Sequence, residues 1–145
     1  MPELVRSVVS RFQVFLKDRR QSPRLRVRLL FDVAIQRAHG SGALKRRQTV
    51  QGHTRDISVN GLAMLVPQVH LEGHHLAASG RELQVQLDMG GGVSISMLVV
   101  PRRYERLEEA ELGCNYLIGA RIVSISEADQ IRYLNFINER LANAA

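Results

Sequence analysis

The stretch RLRVRLLFDVAI, residues 24–35, decides the architecture. Leu25, Val27, Leu29, Phe31, Val33 and Ile35 recur at every second position, while Arg24, Arg26, Arg28 and Asp32 fall between them. A period of two puts the apolar side chains on one face of an extended strand and the charges on the other. The alternation therefore predicts a half-buried strand with a cationic outer face. Immediately before it, Pro23 fixes its own φ and disfavours helical geometry at Ser22, so no helix runs into this strand. Further back, residues 3–16 (ELVRSVVSRFQVFL) place Leu4, Val5, Val8, Val9, Phe12, Phe15 and Leu16 at three-to-four spacing, which predicts an amphipathic helix. Residues 1–17 are accordingly assigned to an N-terminal amphipathic helix and residues 18–145 to a β-barrel domain with a C-terminal helix.

Toward the C-terminus, the glycine-bearing loop AHGSGALKRR at 38–47 leads into QTVQGHTRDISV. Asn60-Gly61 is expected to turn the chain into LAMLV at 62–66. Leu83, Val85, Leu87 and Met89 alternate with polar residues, and after glycines 90–92 the apolar face resumes as Val93, Ile95, Met97 and Val99, which predicts a hairpin. CNYLIGARIVSI reads as a last strand, with Tyr116, Ile118, Ala120 and Ile122 on one face. Ser126 and Asp129 form a capping-box pattern before a helix whose apolar stripe is Ile131, Leu134, Ile137 and Leu141. About six strands flanked by two helices predict a mainly β protein, a six-stranded antiparallel barrel whose closure pairs the strand edges.

The 145 residues are 45% hydrophobic and 23% charged, the composition of one globular domain. No apolar run approaches the ~20 residues of a membrane span, and the N-terminus lacks a secretory pattern, so a cytoplasmic location is expected. The lone Cys114 cannot form an internal disulfide and reads as a buried, inert thiol. Charge is placed unevenly. Arg6, Arg11, Lys17, Arg19, Arg20, Arg24, Arg26 and Arg28 face only Glu3 and Asp18 in the first thirty residues, so the whole formal +6 lies there. An anionic partner is implied: nucleic acid, an acidic membrane surface or a phosphate ligand.

Two short patterns carry unequal information. Arg20-Gln-Ser-Pro-Arg24 is an RxxxR, of which roughly two arise by chance in a chain with 18 arginines, and Arg24/Arg28 and Arg102/Arg106 repeat it. Asp56-Ile-Ser58-Val-Asn-Gly61 is a DxSxxG, expected by chance only about 0.03 times given five Asp, ten Ser and eleven Gly. An arginine fork donates in pairs to guanine O6 and N7 or to phosphate oxygens, and it stacks on bases. A carboxylate such as Asp56 accepts from guanine N1 and N2 hydrogens, Ser58 can bond base or phosphate, and Gly61 permits φ > 0 and a close backbone approach.

RxxxR before the first strand, DxSxxG some thirty residues on, and a terminal strand and helix together resemble the PilZ domain, a bacterial receptor for cyclic di-GMP. The resemblance covers roughly residues 18–142. It implies a ligand laid across a six-stranded barrel, with Arg20 and Arg24 gripping guanine and phosphate and with Asp56, Ser58 and Gly61 as the platform. Arg19, directly before the RxxxR, implies binding of the ligand as an intercalated dimer. A ligand-responsive regulatory module acting on an effector protein follows, with no resident cofactor and no catalysis.

Competing readings attach to the same residues. The blander readings are a solvated basic tract for the arginines and, for Asp56 to Gly61, a hairpin turn satisfying its own backbone; the matching second motif and Pro23 weigh against the first, and the second can coexist with ligand contact. His70, His74 and His75 lack the spacing of a metal site and read as surface-loop residues, and Glu105, Glu108, Glu109 and Glu111 as a solvated connection. No nucleophile elbow or phosphate-cradling glycine loop is present, so an enzyme is not expected. A basic barrel binding nucleic acid is the alternative, disfavoured because the few aromatics form no strand cluster, and nucleic acid is not an expected partner. A PilZ-type interaction domain without nucleotide is a third reading. The N-terminal helix is left to pack on the barrel, to form a homodimer, or to be the stub of a larger protein.

Overall fold

A computed structural model describes residues 23–36 and 48–144. The helix expected over 1–17, the homodimer it would mediate, Arg19, Arg20 and the loop at 38–47 lie outside the described residues. The elements are β1 (Leu25–Arg26), β2 (Leu30–Ile35), β3 (Val50–Ser58), β4 (Gly61–Val66), β5 (His70–Leu71), β6 (His74–His75), β7 (Leu83–Gly90), β8 (Val93–Glu111), β9 (Cys114–Ile125) and the helix α1 (Glu127–Ala144). The fold is mainly β with one C-terminal helix. All strand pairs are antiparallel, and β2, β3, β4, β9, β8 and β7 form a circuit in which each pairs with the one before and the one after, so that the ladder returns to its start, with β1 as a third neighbour of β3.

The inner face of that circuit follows from period-two patterning. Phe31, Val33, Leu62, Met64, Leu83, Val85, Leu87, Ile95, Val99 and Ile118 are buried in one cluster, and Leu134 and Ile137 of α1 join it. Burying each such side chain contributes about 1.5–3 kcal/mol, so the cluster is the main source of stability.

The single strand expected over 24–35 is interrupted between Arg26 and Leu30. Three residues there, Val27 to Leu29, stand opposite only two of β3, Thr54 and Arg55, so the 24–35 segment itself carries an extra residue. Arg55 is an extra residue in β3, so the register against β4 slips between Thr54 and Asp56. Buried Thr54 spans the interruption: its hydroxyl donates to the Val27 carbonyl at 2.6 Å and accepts from the Leu29 amide at 2.9 Å. One side chain thus replaces ladder bonds that a bulge removes.

Turn chemistry departs from expectation in two places. The β3–β4 turn is centred on Val59 and Asn60, since Ser58 pairs with Gly61, and neither central residue nor Gly61 has positive φ. The connection expected around the glutamates is instead the outer half of β8, paired with β9 as far as Glu111 opposite Cys114. It turns through Leu112 (φ 48) and Gly113 (φ 80), which supply the two left-handed residues a tight hairpin needs. By contrast Gly90, Gly91 and Gly92 turn β7 into β8 as expected, all with positive φ.

Helix α1 begins as its sequence suggests, with the Asp129 amide donating to Ser126 Oγ at 3.2 Å. Asp129 does not close the box. Its carboxylate accepts from the Ser96 amide of β8 at 3.0 Å, tying the helix to the sheet. A second tie is Tyr133, 1% exposed, whose hydroxyl donates to the Ser58 carbonyl at 2.6 Å, with the Gly61 carbonyl 3.4 Å away. Burial pushes the Tyr133 phenol far above its ordinary range, opposed by the Arg24 guanidinium and reinforced by the Asp56 carboxylate.

Removing the phenol tests this tie. Tyr133→Phe should lose about 1–2 kcal/mol at neutral pH, measured by urea denaturation. Folded Tyr133 holds its proton above the pH near 10 where an unfolded tyrosine ionises, so wild-type stability falls as pH rises past about 10. The variant should decline less steeply over that window.

Candidate functional site

The two motifs meet at the start of β1. Arg24 Nη1 donates to Asp56 Oδ1 at 2.6 Å, and Arg55 Nε lies 3.5 Å from Oδ2. The side chain of Asp56 is 9% exposed and that of Arg24 59%. A nearly buried carboxylate therefore holds an arginine whose remaining donors reach solvent. The bulge at Arg55 helps: it brings Arg55 alongside the Asp56 carboxylate it flanks in sequence.

Ser58, 2% exposed, donates its hydroxyl to Asn60 Oδ1 at 2.7 Å and so braces the turn. Gly61 serves close approach and not an unusual φ. A Cβ there would lie 2.5 Å from the Ala120 carbonyl oxygen of β9. Any other residue would push β4 away from β9.

Beside this hairpin lies an open cleft of ≈ 330 Å³. Its floor is small because Gly61 and Ala63 of β4 and Gly119 of β9 present almost no side chain. Its walls are Arg24, Arg102, Arg103 and Arg121. The register explains the arrangement: Asp56 pairs with Ala63, Ala63 with Gly119 and Gly119 with Arg103, one row across four strands. Three strand spacings of about 4.8 Å put Asp56 and Arg103 about 14 Å apart along this row. No acidic side chain pairs with Arg102, Arg103 or Arg121 among the described residues, so their charge is available to an anion.

A family model of the PilZ domain matches residues 18–139. The chain belongs to the PilZ domain family. PilZ domains are regulatory binding domains, and the family is one of cyclic di-GMP receptors. The Bacillus subtilis inhibitor of motility (MotI/DgrA) has a similar fold, with TM-score 0.60 and 22% identity over 88% of this chain. This chain spans 53% of that protein. The PilZ domain of CeSA from a cellulose-synthesizing bacterium aligns with TM-score 0.48 and 18% identity, over 81% of this chain and 99% of that domain. No curated protein matches this chain significantly.

Within this PilZ domain, the structure brings Arg24, Asp56, Ser58 and Gly61 together. Arg19 and Arg20 lie outside the described residues. Sequence reasoning set Arg102 aside as part of a chance RxxxR and did not single out Arg103, Arg121 or Tyr133. It also missed a ring series: Tyr104 and Tyr116 stack at 6.1 Å on neighbouring strands, and His75 meets Tyr104 edge-on at 5.1 Å. His70 and His75 belong to the short β5–β6 pair, and no group of three metal-ligating side chains occurs among the described residues. No helix among them is long and apolar enough to cross a membrane.

The Gly61 contact yields a stability prediction. Gly61→Ala should cost about 2 kcal/mol, because the obstacle is backbone and the strand itself must shift. A chemical-denaturation midpoint equal to wild type would show that β4 and β9 have slack at this point.

Proposed function

We propose that this PilZ domain is a receptor for cyclic di-GMP and acts as a ligand-responsive regulatory module. The observation that carries the reading is the 2.6 Å contact between Arg24 of RxxxR and Asp56 of DxSxxG at the mouth of an arginine-walled cleft. The ligand offers two guanines and two phosphates, and guanidinium groups suit both. Arg24, presented by Asp56, grips a guanine edge or a phosphate, and Arg20 completes the clamp. Asp56 keeps acceptor capacity for guanine hydrogens, since a carboxylate has about four acceptor sites. Ser58 and Gly61 shape the platform by holding the turn and the β4–β9 contact. Arg19 adds the stacking group that would admit an intercalated ligand dimer.

On this reading the circuit of six strands is a barrel with the ligand on its outer surface. The output is a changed contact between residues 1–24 and an effector protein in the bacterial cytoplasm, with no catalysis and no resident cofactor. Coupling requires that this contact differ between free and bound states.

Isothermal titration with cyclic di-GMP, GTP and a short oligonucleotide tests the reading. Cyclic di-GMP alone should bind tightly, and Arg24→Ala should weaken it by ~2 kcal/mol or more. Two ligands per chain would support the role given to Arg19. Absence of heat with cyclic di-GMP, together with salt-sensitive binding of the oligonucleotide, would replace this reading with the nucleic-acid one.

A further inference from the structure

A flat β-strand would bury Arg103. In β8 the inward positions are Ile95, Met97, Val99 and Pro101, all buried, so strict alternation would send residue 103 inward next. The register against β9 instead slips between Pro101 and Arg103, leaving Arg102 as an extra residue. Both arginines are consequently exposed, side by side, and both line the cleft. A bulge re-aims side chains in this way, and it replaces one inward guanidinium, costly to bury, with two outward ones.

The opposite strand is fitted to this placement. Gly119, directly across from Arg103, lacks the Cβ that would sit 2.9 Å from Arg103 Cγ and 3.1 Å from Nε. The aliphatic stem of Arg103 therefore lies across the glycine. Arg121 stands two residues further along β9, on the same face, opposite Gly61. The row thus has Asp56, which holds the cleft-lining Arg24, at one end and Arg103 at the other, about 14 Å away along the backbone.

We propose that Arg103 and Arg121, seated by the β8 bulge and by Gly119, form a second phosphate-gripping wall opposite Arg24. This inference rests on the cyclic di-GMP reading and deepens it. A cyclic dinucleotide carries its two phosphates on opposite sides of one ring, so a clamp at one end neutralises one phosphate and leaves the other in water. The second wall meets that second charge. Gly119 is a positioning residue: it offers no side chain to a ligand and acts through the path it leaves for Arg103.

Titration of cyclic di-GMP into wild type, Arg24→Ala, Arg103→Ala, Arg121→Ala and Gly119→Ala, with thermal melts of each, tests the wall. Arg103→Ala and Arg121→Ala should each weaken binding about tenfold, the loss of one charge-assisted contact, and should flatten its dependence on salt. Gly119→Ala should weaken binding to a similar degree with little change in melting temperature, because only a flexible side chain must yield. Arg103→Lys should recover part of the loss, since a point charge keeps the attraction and loses the fork. Wild-type affinity in Arg103→Ala and Arg121→Ala, alongside impaired Arg24→Ala, would overturn the second wall and leave the receptor reading intact. Failure of wild type to bind cyclic di-GMP would overturn both.

Discussion

The β3–β4 hairpin is hydrogen-bonded on both flanks, β3 to β1 and β2 and β4 to β9, and it is the element through which the ladder closes. Its turn is held from below by the Tyr133 hydroxyl on the Ser58 carbonyl and from within by Ser58 on Asn60. The Asn60 carbonyl also accepts from the Ile122 amide at 2.9 Å, fixing the turn to β9. Without the two side-chain contacts the turn would be held by backbone bonds alone, and the DxSxxG residues would lose their common frame. Closure and site construction are the same event. The polar residues that shape the cleft also stop the hairpin from leaving the sheet.

Closure has a second consequence. A ladder that returns to its start has an inner face filled by apolar side chains, so chemistry must sit on the outer face. On that face β4 and β9 carry Gly61, Ala63 and Gly119, too small to fill the space between flanking strands. The cleft is an absence of side chains bordered by long cationic ones. Small residues account for its depth, and arginines account for its charge.

Much of this was legible in the chain. The alternation in 83–89 and 114–125, the glycines at 90–92 and the Ser126 cap each depend on local preference or period, and each appears in the structure where expected. The DxSxxG stretch announced a hairpin and a candidate site together. What escaped the reading depends on pairing between distant segments. The interruption after Arg26 arises where Val27 to Leu29 stand opposite only Thr54 and Arg55 of β3, a register that the alternation within 24–35 does not report. Arg103 was not singled out, because its outward direction requires the bulge at Arg102. Gly61 was read as permitting both positive φ and a close backbone approach; only the approach is used, and what comes close is the Ala120 carbonyl of β9. A bulge has no periodicity of its own, so pattern reading carries the wrong phase beyond it.

On the cyclic di-GMP reading, the Arg24–Asp56 pair divides stability from recognition. As an ion pair with an exposed cation it adds little to stability, on the order of 0–1 kcal/mol. Its value lies in direction. Asp56 is nearly buried, and among the described residues its second oxygen meets only Arg55, at 3.5 Å, so Arg24 is its principal partner there and is held by it. A guanidinium has five N–H donors, the contact through Nη1 uses one of its ends, and the side chain stays largely exposed where it lines the cleft. The side-chain entropy of a long arginine is thereby lost during folding, before any ligand arrives, which lowers the cost of binding. A free surface arginine would lose that entropy at the moment of contact. The buried carboxylate thus converts a residue type common in this chain into a fixed donor at one defined edge of the cleft.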